Sequence, residues 1–174
     1  LQKEFEMTPH EILEEHPKGI EYAHLLSEFN KYPIIKDSND EVISLPPIIN
    51  GALTTITEDT NDVLIDVTGL DQKSVDACLS IVACALVERG GTIEQLELKF
   101  PTENKITPSM TPKIHTIDND YLIRLLGFDP GQFVIFKAFR KCGMEPELNE
   151  NTWSVKVPAY RADILHPIDL VEEA

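Results

Sequence analysis

Apolar positions recur first at a helical period and then at a period of two, and the change marks how the chain is organised. Over 8–29 the spacing predicts helix. Thr8-Pro9-His10-Glu11 supplies an N-cap, a proline at the first helical position and the acid of a capping box. His16-Pro17-Lys18-Gly19 is expected to interrupt that helix, because proline disfavours helix in the residue before it. A second short helix over 21–29 then sets Tyr22, Leu25, Leu26 and Phe29 on one face. From Tyr32 the alternation predicts strands over 32–36 and 41–45 around the turn Asp37-Ser38-Asn39-Asp40. Pro46-Pro47 stops the second strand, and Asn50-Gly51 marks a tight turn.

The clearest strand pattern covers 61–68, with Val63, Ile65 and Val67 on one side and Leu64, Asp66 and Thr68 on the other. An amphipathic helix follows over 74–89, with Val75, Cys78, Leu79, Val82 and Leu86 as its inner face and Gly90-Gly91 as its stop. A strand over 92–100 alternates Leu96, Leu98 and Phe100 against Glu97 and Lys99. The proline-bearing stretch 101–112 reads as a boundary or long connection, giving domains 1–100 and 101–174. Beyond it come a short strand over 113–116, a helix over 118–126 ended by Gly127, and a helix opened by Asp129-Pro130 and closed by Gly143. A hairpin with Trp153, Val155 and Val157 on one face follows, and Pro167 opens a last helix. The expected class is α+β: a mixed sheet with packed helices, then a small winged-helix-like α/β module.

Composition narrows this picture. Apolar residues make up 42% of the chain, ordinary for a globular protein. No apolar run approaches the ~18 residues that would span a bilayer. The three cysteines form no CxxC pair, and the five histidines have no zinc spacing. Cys78 and Cys84, inside the helical pattern, are expected to serve as small buried hydrophobes in a reducing compartment. A net charge of −15 argues against a broad phosphate-binding surface. The opening residues carry no signal peptide and no Met, and Val171-Glu172-Glu173-Ala174 reads as a helix stopped in mid-turn, so the chain reads as an excised piece.

Two groups of residues offer chemistry. Asp66 and Thr68 share the polar side of the 61–68 pattern, and Ser44 and Asn50 flank the proline break. If these segments neighbour one another, a carboxylate, two hydroxyls and an amide line one hollow; the alternative is the wet face of an edge strand. The second group is Asp163, Asp169, Glu172 and Glu173. The last three stand at i, i+3 and i+4 of the final helix, a set of hard oxygen donors suited to Mg²⁺. The alternative is that the acids offset the helix dipole, with Arg161 pairing with one of them. No GxSxG, HExxH, phosphate loop or GxGxxG is present, so any catalysis works by positioning substrate and water.

Four strings carry a resemblance. Tyr32-Pro33-Ile34-Ile35-Lys36-Asp37-Ser38-Asn39, Ser44-Leu45-Pro46-Pro47-Ile48-Ile49-Asn50-Gly51 and Asp66-Val67-Thr68-Gly69 resemble the B3/B4 editing domain of archaeal and eukaryotic phenylalanyl-tRNA synthetase β subunits. Val157-Pro158-Ala159-Tyr160-Arg161-Ala162-Asp163-Ile164-Leu165-His166, followed by Asp169-Leu170-Val171-Glu172-Glu173, is similar to the end of their B5 domain. The resemblance implies the C-terminal part of an editing domain over 1–100 and B5 over 101–174. It implies a cytoplasmic α2β2 enzyme that uses ATP to charge tRNA with phenylalanine, whose β subunit removes tyrosine wrongly attached to that tRNA. A phenylalanine pocket does not strongly reject an isostere that adds one hydroxyl, so a second site must read that hydroxyl. By resemblance Ile35, Ser44, Asn50, Asp66 and Thr68 line that site, Ile35 against the substrate, Asp66 and Thr68 suited to reading the phenolic hydroxyl, and Ser44 and Asn50 to holding the ester or a water. Asp163, Asp169, Glu172 and Glu173 would hold a Mg²⁺ shared with the α subunit, expected to be empty or poorly ordered in this piece alone. The competing reading is a non-catalytic module for subunit assembly.

Overall fold

In the computed structural model, which describes residues 6–174, the helical period at the start of the chain forms α1 (Pro9–Glu15) and α2 (Pro17–Tyr22), continued by one 3-10 turn, Ala23–Leu25. The capping box is made: the Thr8 N–H donates to Glu11 Oε2 at 2.7 Å, and the Glu11 N–H donates to Thr8 Oγ1 at 3.3 Å. Pro17 opens α2 instead of merely ending α1. The first helical position needs no N–H donor, and extended His16 accepts the Lys18 N–H on Nδ1 at 3.1 Å. The second helix therefore begins four residues before the expected start at Glu21.

The chain divides into two compact units, Leu1–Thr68 and Gly69–Ala174. In the first, β1 (Ile35–Lys36), β2 (Val42–Leu45) and β3 (Ile49–Asn50) form a small antiparallel sheet in that order. The expected turn joins β1 to β2: Asp37 Oδ1 accepts the N–H groups of Asn39 (2.8 Å) and Glu41 (2.9 Å), and Asp40 takes a positive φ of 69°. β3 was not anticipated. The two prolines turn the chain back on itself, with the Ile48 N–H reaching the Leu45 carbonyl at 2.8 Å, so the residues after the break pair with the strand before it. Leu26, Leu45 and Ile48 form the core, backed by Ile12, Leu13, Tyr22 and Ile49.

The strand expected over 61–68 does not form: the segment has no ladder partner among the described residues. Val63 and Leu64 are exposed, while Ile65 and Val67 are half-buried. Alternation assigns faces to a strand but supplies no neighbour to complete its hydrogen bonds.

In the second unit α3 (Gln72–Val87) is capped by Asp71, whose carboxylate accepts the Ser74 N–H at 2.8 Å, and ends in the left-handed Gly90. It buries Ser80 and Ala83, and Cys78, Val82 and Leu86 of the expected inner face are exposed. The helix is apolar on most sides, so its pattern does not single out one face. Ser80 is buried at little cost because its hydroxyl bonds the Asp76 carbonyl one turn back (2.9 Å). Lys105 fixes the helix to the next hairpin with two 2.8 Å bonds to the Asp76 carboxylate. That hairpin pairs β4 (Leu96–Lys99) with β5 (Asn104–Thr107), and β5 lies in a stretch expected to be irregular.

The rest of the unit follows the sequence pattern closely. β6 (Lys113–Asp118) leads into α4 (Asn119–Leu126) and α5 (Gln132–Lys141), then β7 (Glu145–Asn149), β8 (Thr152–Val157) and α6 (Pro167–Glu173). The sheet order is β6-β8-β7, all antiparallel, which gives two helices followed by a two-stranded wing. Gly131, not Asp129, caps α5; Asp129 instead accepts the Gly131 N–H at 2.8 Å. Trp153, Val155 and Val157 point inward with Leu122, Ile135, Phe139, Met144, Ile164 and Leu170, all essentially inaccessible to solvent. Phe139 meets Trp153 edge-on, with centroids 6.0 Å apart. The class is α+β as expected, with the strands of the described residues gathered in three small antiparallel sheets instead of one mixed sheet.

Candidate functional site

Three of the expected pocket residues stand on one rung of the first sheet. Ile35 pairs with Ser44 across β1 and β2, and Ser44 pairs with Asn50 across β2 and β3. Directly opposed residues project to the same face, so an aliphatic side chain, a hydroxyl and an amide lie side by side. Ser44 is 9% exposed, and its hydroxyl donates to Asn50 Oδ1 at 3.0 Å. Ile35 is half-buried and Asn50 faces solvent. With its hydrogen shared between Asn50 Oδ1 and the Ile49 carbonyl at 3.5 Å, Ser44 keeps its oxygen free to accept, and the Asn50 amide nitrogen is free to donate.

Local sequence fixes the rung at both ends. The register shifts between Ile35 and Lys36, which isolates the Ile35 pairing from the hairpin turn. At the other end the Gly51 N–H donates to the Ile43 carbonyl at 2.7 Å, and a Cβ on Gly51 would lie 2.6 Å from the Val42 carbonyl. Only glycine lets the chain leave β3 this close to β2. Thr54 closes the turn by donating to the Gly51 carbonyl at 3.0 Å.

Asp66 and Thr68 are placed differently. Both are exposed and lie in the segment that forms no ladder, and among the described residues no hydrogen bond joins either to Ser44 or Asn50. Sequence periodicity placed them on a strand face; the structure gives that face no sheet.

Two of the four expected carboxylates, Asp163 and Glu173, meet a cation that the protein itself supplies. Arg161 donates through Nε and Nη2 to Asp163 (2.9 and 2.6 Å), through Nη2 to Glu173 (2.6 Å) and through Nη1 to the Cys142 carbonyl (3.1 Å). This guanidinium holds the Asp163 carboxyl below the usual range. The Cys142 thiol and then Arg161 do the same for Glu173. Asp169 is occupied elsewhere: its Oδ2 accepts the N–H groups of His166 (2.7 Å) and Leu165 (2.8 Å), which lowers its pKa and caps α6. Glu172 is exposed. Among the described residues no three His, Cys, Asp or Glu side chains are grouped to hold a metal ion. Asp163, Asp169, Glu172 and Glu173 therefore do not fit a common Mg²⁺ in this arrangement.

Sequence reasoning did not identify two further features of the second unit. A cleft of about 220 Å³ is lined by Cys84, Met110, Gly143, Glu145, Lys156 and Tyr160 among others, and contains none of the expected site residues. The buried Trp153 indole N–H donates to Asn119 Oδ1 at 2.9 Å. A tryptophan facing a core needs such an acceptor, and the first residue of α4 supplies it.

Comparison with known proteins matches two domain models in succession, the first running across the boundary between the two compact units. Residues 12–98 match the B3/4 domain model and residues 115–174 the tRNA synthetase B5 domain model. The phenylalanine-tRNA ligase β subunit of Methanococcus maripaludis strain C6 is 45% identical over 168 residues, covering 97% of this chain and 29% of that protein. The β subunit of Methanosarcina barkeri is 48% identical over 169 residues, covering 96% and 31%. This chain thus spans under a third of the length of these relatives. A crystal structure of an N-terminal fragment of the phenylalanyl-tRNA synthetase β subunit from Pyrococcus horikoshii superposes with a TM-score of 0.95 at 38% identity, over 99% of this chain and 50% of that one. With both domain models matched in order and the whole fold shared, the chain belongs to the phenylalanine-tRNA ligase β-subunit family and corresponds to the B3/4 and B5 stretch of its archaeal members.

Proposed function

We propose that residues 1–100 contribute hydrolytic editing of tyrosine mischarged on phenylalanine tRNA, and that residues 101–174 contact the α subunit of the ligase. The observation that carries the editing reading is the Ile35–Ser44–Asn50 rung, which sets an apolar side chain beside a free acceptor and a free donor. A tyrosine ring packs on aliphatic surface, and its phenolic hydroxyl needs both an acceptor and a donor. Phenylalanine at the same place leaves those polar groups unpaired, and that penalty separates the two substrates.

The reaction is ester hydrolysis. Water adds to the aminoacyl carbonyl carbon, the carbonyl oxygen takes up the charge, and the bond to the tRNA 3′-terminal ribose breaks to release tyrosine and free tRNA. No side chain of the rung is a nucleophile activated by a neighbouring base, so Ser44 and Asn50 act by holding substrate or water in place. Asp66 and Thr68 belong to the same reading as groups on the adjoining segment that approach the bound substrate. Charging with ATP and phenylalanine belongs to the α subunit of a cytoplasmic α2β2 assembly.

The test is tyrosine release from mischarged phenylalanine tRNA by a complete αβ enzyme. Ser44→Ala and Asn50→Ala are each expected to slow release by on the order of ten-fold, the worth of one lost hydrogen bond in a transition state. Charging with phenylalanine should be unchanged. Asp66→Ala should also slow release; tyrosine release at the unmodified rate in all three variants sinks the reading.

A further inference from the structure

Arg161 is only 18% exposed, and every nitrogen of its guanidinium is engaged. One positive charge thus meets two carboxylates from different segments, Asp163 in the loop after the wing and Glu173 in the last turn of α6, and ties both to the C-terminal end of α5 through the Cys142 carbonyl. The planar fork suits this geometry, because it presents parallel N–H groups to one carboxylate and leaves further donors for a second. A magnesium ion asks for something different: near-octahedral oxygens at about 2.0–2.1 Å, with charge-neutralising carboxylates pointed at one centre. Both Asp163 oxygens face Arg161, and Asp169 Oδ2 faces two backbone N–H groups.

We propose that Arg161 is the built-in counter-cation of this acidic set, and that its guanidinium and a divalent ion exclude each other at Asp163 and Glu173. Bringing an ion to these oxygens sets it against the guanidinium charge at hydrogen-bond range, so the ion enters only when Arg161 swings away. The swing breaks the bond to the Cys142 carbonyl and frees the loop after the wing from α5. The chain by itself holds the loop and α6 together without metal, and any partner that installs an ion here must also find a place for the displaced arginine. The inference does not depend on the editing reading.

The experiment titrates manganese(II) chloride into this 174-residue chain and follows paramagnetic broadening of the Asp163 and Glu173 amide resonances, with calorimetry alongside. The wild-type chain should show no selective broadening at these residues. Arg161→Gln should bind the ion at least on the order of ten-fold more tightly, with broadening centred on Asp163 and Glu173. Adding Asp163→Asn to that variant should abolish the gain. Selective broadening of Asp163 and Glu173 in the wild type overturns the proposal, and so does an Arg161→Gln chain that binds no better. If Arg161→Gln does not fold, Arg161→Met, which also removes the charge and keeps a long side chain, takes its place. It should bind the ion more tightly than wild type, and failure to do so contradicts the mutual exclusion.

Discussion

Asn119 and Trp153 show how one side-chain pair can fix a domain. The indole N–H is buried, and its 2.9 Å bond to Asn119 Oδ1 is the partner that makes a tryptophan tolerable there. Asn119→Ala should destabilise the chain by about 1–3 kcal/mol, the cost of leaving a buried donor unpaired. Urea unfolding followed by tryptophan fluorescence measures it. Combining it with Trp153→Phe should cost less than the sum of the two single changes, because the orphaned donor disappears with the indole; strict additivity would show that the bond is incidental. Phe139→Ala, beneath the same indole, should cost about 3–5 kcal/mol. Ser44 and Asn50 are bonded in the same direct way, but their bond is half in water and serves positioning more than stability.

Among helices and strands, what the sequence made legible was whatever its own neighbours settle. The α1 capping box, the glycine stops after α4 and α5 and the inward face of β8 all appear where local chemistry puts them. Elements that depend on distant partners were not legible. β3 exists because the Pro46-Pro47 turn folds the chain back onto β2, and the 61–68 pattern gains no ladder despite its clean alternation. α3 buries Ser80 and Ala83 because nearly all of its sides are apolar and packing chose among them. Its cap offers a test by pH. The Ser74 hydroxyl and then its backbone N–H hold the Asp71 carboxyl below the ordinary value. A carboxyl lowered in this way contributes fully above its ordinary pKa near 4, and that contribution is lost as pH falls through the depressed value. Wild type should therefore melt above Asp71→Ala at neutral pH, with the gap closing as the medium is acidified below pH ~4. A gap that persists in acid would show that the ionised carboxylate is not what caps α3.

Taken together, the chain pairs a small sheet that presents a polar rung with a well-packed helix-and-wing unit that carries its own internal cation. The candidate site was half legible. Ser44 and Asn50 fall on neighbouring strands, whereas Asp66 and Thr68 sit exposed on an unpaired segment. The acidic set was expected on one ion; in the fold Arg161 engages two of its members at once and Asp169 caps α6. Under the proposed editing role, a net charge of −15 leaves the tRNA phosphates to other parts of a larger assembly. The most direct test of tyrosine recognition by the rung is an NMR titration of this chain with a non-hydrolysable tyrosyl-adenosine analogue, run beside its phenylalanyl counterpart. The account predicts that the tyrosyl analogue shifts the resonances of Ile35, Ser44 and Asn50 and that the phenylalanyl one does so far more weakly. Equal shifts from both analogues, or shifts confined to the second unit, would contradict it.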